Sequence, residues 1–208
     1  MLIPNQNYWQ KQITYWDEAI AAAPTEAKNY VQRGMVKFKL AQITESIADF
    51  DQAEKLEPRL TPYLWQRGLS FYYAEKFAAG AKQFEIDLTV NSQDVEETVW
   101  RYLCIAQLQG IHEAINSLMV VKNDPRLVMQ KVYDLYGGNC SINEVLKIGE
   151  KEGKRGKFYS HLYIGLYHEV MGDTEKARDY IVKSCQYQLD DYMWYLAWVH
   201  RILRNWEE

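Results

Sequence analysis

The sequence has few cysteines and few residues that break helices. Its three cysteines, Cys104, Cys140 and Cys185, are far apart and odd in number, so they indicate neither a C-x-x-C metal pair nor a disulfide framework. This usage favours a reducing compartment. Only five prolines and eleven glycines occur among 208 residues, and alternating runs of β-branched residues are scarce. These absences together favour an all-α chain.

Long apolar stretches and a basic charge balance are also absent. No apolar run approaches the ~20 residues of a membrane-spanning helix. Residues 1–7 lack the basic segment and the apolar run of a secretory signal, so a cytoplasmic location is predicted. The net charge is −4, which argues against general nucleic-acid binding because that function requires a basic surface.

Recognisable catalytic motifs are missing as well. The sequence contains no G-x-G-x-x-G, P-loop, G-x-S-x-G or H-E-x-x-H pattern. Glu96 and Glu97 are adjacent, so on a helix their side chains point to different faces, which suits acid–base partners poorly. His161 and His168 are seven residues apart, roughly 10 Å along a helix axis, which is too far to share one metal. No enzymatic activity, cofactor or metal site is predicted.

The sequence does contain a repeat of thirty-four residues. Gln32-Arg33-Gly34 returns as Gln66-Arg67-Gly68, and Phe50 returns as Phe84. A period of this length is typical of stacked helix–turn–helix units. Apolar residues at helical spacing around Ile47 indicate that each second helix buries one stripe against its neighbours. The repeat therefore predicts a helical stack.

The repeated residues resemble the tetratricopeptide repeat (TPR) family. The matching positions are Gly34, Gly68, Phe50, Phe84, Ala53, Pro58, Gly165 and Ala177. The resemblance implies a right-handed helical solenoid of antiparallel helix pairs whose concave face binds peptides or proteins without catalysis. One subset of the family clamps a C-terminal carboxylate with lysines and asparagines. Val31, Met35, Trp65 and Leu69 hold those positions here, so that activity is not expected. Residues 163–173 are also similar to bacterial NlpI-type TPR adaptors.

One elongated domain is predicted over residues 1–208. The assigned units are an N-terminal half-repeat (8–24), clear repeats (27–60, 61–94 and 158–191), irregular helical repeats (95–157) and a C-terminal capping helix (192–206). The charged, glycine-rich stretch 149–157 is interpreted as a solvated loop between repeats.

The thirty-four-residue register places apolar and aromatic side chains, rimmed by lysines, on one surface of the stack. The predicted partner-binding residues are Lys28, Val31, Met35, Phe38, Lys39, Trp65, Leu69, Tyr72 and Tyr73. Aromatic side chains in a concave surface are typical of binding hot spots. The sequence therefore predicts a non-enzymatic scaffold or adaptor that binds a peptide or helix of another protein. Lys28 and Lys39 would orient an acidic flank of that partner.

Three alternatives stay open at this point. In the first, the helix at 192–206 fills the groove itself. In the second, the groove is the homodimer interface of a self-associating structural protein. In the third, the irregular middle contains a small-ligand or catalytic pocket with Glu97, Arg101 and Arg126. All three keep the same fold and differ in what occupies its surfaces.

Overall fold

The computed structural model describes residues 3–206, and this range contains helices but no strand. The elements are α1 (Gln6–Ala22), α2 (Ala27–Lys39), α3 (Ile43–Leu56), a 3₁₀ helix (Pro58–Tyr63), α4 (Trp65–Tyr73), α5 (Phe77–Asp87), α6 (Val95–Gln109), α7 (Ile111–Asn116), α8 (Leu127–Tyr136), α9 (Ile142–Lys151), α10 (Gly153–Val170), α11 (Thr174–Cys185) and α12 (Tyr192–Leu203). None of these helices is both long enough and apolar enough to cross a membrane. The all-α prediction is confirmed. The predicted domain, 1–208, includes two residues at each end that lie outside the described range.

The helices pack neighbour against neighbour along the chain. Each helix from α1 to α6 contacts the next one, and the same succession continues from α8 to α12. This is the packing of a solenoid-like stack, as the repeat predicts. α2 and α3 lie within the unit assigned to 27–60, and α4 and α5 within 61–94. α10 begins at Gly153, before the assigned start at 158, and the division into repeats stays a prediction.

The repeated glycine and phenylalanine explain how two helices of one unit approach each other. Gly68 on α4 faces the Phe84 ring on α5, and a Cβ added to Gly68 would lie 2.6 Å from that ring. The equivalent pair, Gly34 and Phe50, is less tight, at 3.3 Å. Both phenylalanines are fully buried. Each glycine therefore leaves the space that its phenylalanine fills.

The stretch 149–157 is almost entirely helical, so its interpretation as a loop was wrong. α9 ends at Lys151 and α10 begins at Gly153. A Cβ added to Gly156 would lie 2.5 Å from the carbonyl oxygen of Gly149. These two glycines allow the close approach of α9 and α10. The interpretation was wrong because glycines among charged residues look, in the sequence alone, like a flexible linker.

The first helices of successive pairs form an inner layer. α4 contacts α6, and α6, α8 and α10 contact one another. α12 packs on α11 and also on α2, so the last helix meets the first complete pair. One continuous hydrophobic core extends from α2 to α12. The inner face of the stack is therefore closed by contacts between distant parts of the chain.

Candidate functional site

Helix α12 occupies the surface that the sequence predicts as a groove. Tyr192 stacks on Phe38 with 5.4 Å between ring centroids, and it meets Trp65 edge-on at 5.3 Å. The Tyr73 hydroxyl lies 3.0 Å from Nδ1 of His200. The chain thus fills its own groove with α12, which is the first of the three alternatives.

The nine predicted partner-binding residues differ widely in exposure. Phe38, Leu69, Tyr72 and Tyr73 are buried, Val31, Met35, Lys39 and Trp65 are half-buried, and Lys28 is exposed. A partner cannot reach the four buried side chains while α12 is in place, because the chain's own helices cover them. Trp65 is therefore the accessible member of the predicted aromatic anchors. Partner binding by the five accessible residues stays a prediction.

Lys39, which was expected to orient an acidic flank, contacts aromatic rings of its own chain. Its Nζ lies 4.0 Å from the ring centroid of Trp9, 5.1 Å from that of Tyr195 and 5.3 Å from that of Tyr192. These distances fall within the range of cation–π interactions. Lys39 is therefore engaged with α1 and α12 rather than presented to a partner.

A cavity of about 320 Å³ opens beside the contact between α4 and α12. Its walls combine the aromatic rings of Trp65, Phe84, Trp100, Tyr159 and Tyr192 with the carboxylates of Asp94, Glu96, Glu97 and Asp191. This volume lies at the lower end of the range for small-molecule sites. The cavity is both aromatic and acidic, and Trp65 links it to the predicted groove.

Two of the wall carboxylates are fixed by helix N-termini. Asp94 Oδ1 accepts a hydrogen bond from the backbone nitrogen of Glu97 at 3.0 Å and caps α6. Asp191 Oδ1 accepts one from the backbone nitrogen of Met193 at 3.0 Å and caps α12. Aspartate is a preferred N-cap residue. The starts of α6 and α12 therefore bring these two carboxylates to the cavity.

Three of the four carboxylates have an arginine partner, and two of them share Arg126. Arg155 Nη2 lies 2.8 Å from Asp191 Oδ2. Arg126 forms an ion pair with Glu96, which also accepts a hydrogen bond from the Tyr163 hydroxyl at 2.9 Å. Burial nevertheless raises the pKa of Glu96, and Arg126 opposes that rise. Asp191 thus has a counter-ion of its own, whereas Glu96 shares Arg126 with Asp94.

Glu97 has no ion-pair partner among residues 3–206. Its side chain is buried, with 9% of the residue exposed, and Oε2 has no hydrogen-bond partner. Oε1 accepts a long hydrogen bond, 3.4 Å, from Asn91 Nδ2. Burial and the neighbouring Asp94 and Asp87 raise the pKa of Glu97 to about 8. A buried carboxylate without a counter-ion is energetically costly, so Glu97 stays protonated up to about pH 8.

Two more buried polar atoms near Glu97 lack hydrogen-bond partners in the described part of the chain. They are Oδ2 of Asp87 and Nε1 of Trp100, and both residues are 1% exposed. Burial raises the pKa of Asp87 to about 7, although its Oδ1 accepts a hydrogen bond from Gln83 Nε2 at 2.6 Å. Buried polar atoms in native proteins are nearly always partnered. The unpartnered atoms of Glu97 and Trp100 belong to residues that line the cavity, so we take it as the candidate functional site.

The structure brings together two of the three residues that the sequence suggests for a pocket in the irregular middle. Glu97 lines the cavity, and Arg126 lines a neighbouring cavity of about 390 Å³ that shares two wall residues with it. Arg101 lies elsewhere, where its Nη1 donates a hydrogen bond to the carbonyl oxygen of Ser117 at 2.8 Å. Trp65 on α4 was predicted as a groove residue, but the cavity residues from α10 and α12 were not expected from the sequence.

Comparison with known proteins leaves the family unassigned. No protein-family model matches the chain. The "Protein SGT1 homolog" of Bos taurus is 26% identical over 100 residues, which cover 48% of this chain and 30% of that protein. The match therefore spans less than a third of the length of the bovine protein. This weak similarity and the all-helical stack are compatible with a TPR-like protein.

Proposed function

We propose that the chain is a non-enzymatic adaptor that binds a segment of another protein at the inner face, where the cavity opens beside Trp65. One observation carries this proposal: an accessible tryptophan borders a cavity in which the buried carboxylate of Glu97 has no ion-pair partner in the described range. Tryptophan is enriched in binding hot spots. Trp65 offers an aromatic anchor to a partner, and Glu97 offers a polar group with which no described residue of the chain forms an ion pair.

Three further observations support an interaction role. A solenoid-like stack provides an extended surface for a partner. The TPR-like repeat and the similarity of about half of the chain to a protein SGT1 homolog are in keeping with an adaptor, as is the weaker resemblance to NlpI-type adaptors. The acidic flank predicted for the partner is not part of this proposal, because Lys39 is engaged and the cavity walls carry four carboxylates.

A cytoplasmic location also belongs to this proposal. Cys104, Cys140 and Cys185 are all free thiols, and cysteines that stay unpaired are common where the cell keeps thiols reduced. Burial raises the pKa of Cys104 above its ordinary value, so its reactive thiolate form is disfavoured. The three cysteines therefore suit a reducing compartment and no catalytic role.

Affinity capture from native lysate tests the adaptor role. Trp65→Ala is expected to lose proteins that the wild type retains, because it removes the accessible anchor at the cavity mouth. The matched control is Trp16→Ala on α1, where the tryptophan is also half-buried but lies outside the cavity. Quantitative mass spectrometry compares the three recoveries, and circular dichroism confirms that each variant is folded.

Equal recovery of all proteins by the wild type and Trp65→Ala would contradict binding at this site. Sedimentation over a range of concentrations should then be measured, because a folded Trp65→Ala that dissociates a wild-type dimer would favour the self-association alternative. Tyr72, which the sequence places in the same groove, is unsuitable for this test because it is completely buried.

A further inference from the structure

We propose that the cavity receives a basic side chain, preferably the guanidinium of an arginine, from the protein segment that the adaptor binds. This inference rests on the proposed function and specifies the chemistry of recognition. The cavity lies between α4, α6, α10 and α12, and its walls are aromatic and acidic.

The charge balance of the walls favours a cation. Of the four carboxylates, Asp191 is paired with Arg155 and Glu96 with Arg126. Arg126 is only 3.6 Å from Asp94, so a single guanidinium serves more than one acid. Glu97 has no ion pair in residues 3–206 and, with a pKa of about 8, is mostly neutral below that pH. The excess negative charge of the site therefore comes from Asp94, which shares Arg126 with Glu96. A bound cation would compensate this excess.

The hydrogen-bonding atoms of the site match a guanidinium group. Oε2 of Glu97 is a buried acceptor without a donor. Arginine presents five N–H donors in a planar arrangement and no acceptor, and hydrogen bonds between ionised groups are stronger than neutral ones. The arrangement is less suited to a metal, because no group of three or more His, Cys, Asp or Glu side chains in the described range could hold a metal ion.

The aromatic walls favour a cation that can stack on rings. Indole and phenol faces attract ammonium and guanidinium groups, and arginine stacks more readily than lysine. The chain already uses two of the neighbouring rings in this way. Lys39 lies over Tyr192 at 5.3 Å, and Arg155 lies over Tyr159 at 5.3 Å. The remaining ring surface inside the cavity provides the same type of contact.

A protein segment fits the site better than a free cation does. Nε1 of Trp100 is a buried donor without an acceptor, and a cation has no acceptor to offer. The backbone carbonyl groups of a peptide supply one next to a basic side chain. The volume of about 320 Å³ is also suited to a single side chain rather than to a whole helix.

The test is a titration of the wild-type chain with Nα-acetyl-arginine amide, followed by the indole N–H signals in an NMR spectrum. At about pH 8.5 Glu97 is mostly ionised, since its pKa is about 8. The signals of Trp65 and Trp100, assigned by substitution, are expected to shift with a Kd on the order of 1 mM for a probe of this size. Capped citrulline, which has the same shape without the charge, is expected to bind at least about tenfold more weakly.

Glu97→Gln is expected to weaken binding of the arginine probe at least about tenfold, because it replaces the unpaired carboxylate with a neutral group of the same shape. Glu85→Gln is the matched control, since the Glu85 side chain is half exposed on α5 and lies outside the cavity. Its affinity for the probe is expected to equal that of the wild type.

Equal binding of citrulline and arginine, or unchanged affinity in Glu97→Gln, would overturn the inference. Tighter binding of free arginine than of the capped probe would contradict a protein segment as the source of the guanidinium. It would indicate a small-molecule ligand instead. If these probes fail while Trp65→Ala still loses captured proteins, the adaptor role stands and the recognised group is not basic. If the probes succeed but capture does not depend on Trp65, the proposed function fails instead.

Discussion

The Tyr72→Ala variant is expected to lose about 3–5 kcal/mol of unfolding free energy, the range for truncating a large buried aromatic residue. Tyr72 is completely buried, and its ring contacts those of Tyr73, Phe77 and Trp100. Its hydroxyl donates a hydrogen bond to Glu169 at 3.3 Å. Truncation leaves a cavity where α4, α5, α6 and α10 meet. Urea unfolding followed by circular dichroism measures the loss.

The matched control for Tyr72→Ala is Tyr63→Ala. Tyr63 is 62% exposed, and substitutions at exposed positions usually change stability by less than about 0.5 kcal/mol. Domains are stable by only about 5–15 kcal/mol, so the expected difference between the two variants is easily measured. A Tyr72→Ala protein as stable as Tyr63→Ala would contradict the closed inner face. It would indicate that Tyr72 lies exposed in an open groove.

The second large effect is a change in the pH dependence of stability in Glu97→Gln. Burial first, and then Asp94 and Asp87, raise the pKa of Glu97 from 4.5 to about 8. The folded chain therefore binds more protons than the unfolded chain between these two values, and the wild type loses stability as the pH rises through this window. Each pKa unit corresponds to about 1.4 kcal/mol, so the loss is on the order of 3–5 kcal/mol.

Glutamine cannot ionise, so Glu97→Gln is expected to lack this loss. Its stability should be close to that of the wild type at about pH 4 and higher by on the order of 3–5 kcal/mol at about pH 9. Burial also raises the pKa of Asp87, from 3.8 to about 7, so both proteins are expected to share a second loss of stability of similar size at lower pH. Urea unfolding at several pH values measures the difference, with Glu85→Gln as the exposed control. The same pH profile in Glu97→Gln and wild type would show that Glu97 ionises in the folded chain without penalty.

Local features of the fold could be predicted well from the sequence. The thirty-four-residue repeat places Gly68 and Phe84 correctly at a helix contact. Ser141 and Glu144, three residues apart, form a capping box at the start of α9, which is the structure that this spacing favours. These features depend on residues close in the chain or at a fixed period. The start of α8, by contrast, depends on a residue distant in the chain, because Glu152 accepts hydrogen bonds from the backbone nitrogens of Leu127 and Val128.

The candidate site could be predicted only in part, because it depends on how tightly the stack closes. The register places Trp65 and Tyr72 on one surface, but it cannot show that α5, α6 and α10 bury Tyr72 while Trp65 stays accessible. The absence of a partner for Glu97 in the described range likewise results from the positions of several helices. One indication of the buried acid was present in the sequence. In α6 the charged Glu97 directly precedes Thr98, Val99 and Trp100, all of which are buried.

Affinity capture with Glu97→Gln beside Glu85→Gln tests whether the acidic cavity is the binding site. The two substitutions make the same chemical change, one inside the cavity and one on an exposed face. Glu97→Gln is expected to lose the proteins that Trp65→Ala loses, while Glu85→Gln is expected to retain them. Full retention of those proteins by folded Glu97→Gln would contradict the claim that the acidic cavity is the binding site.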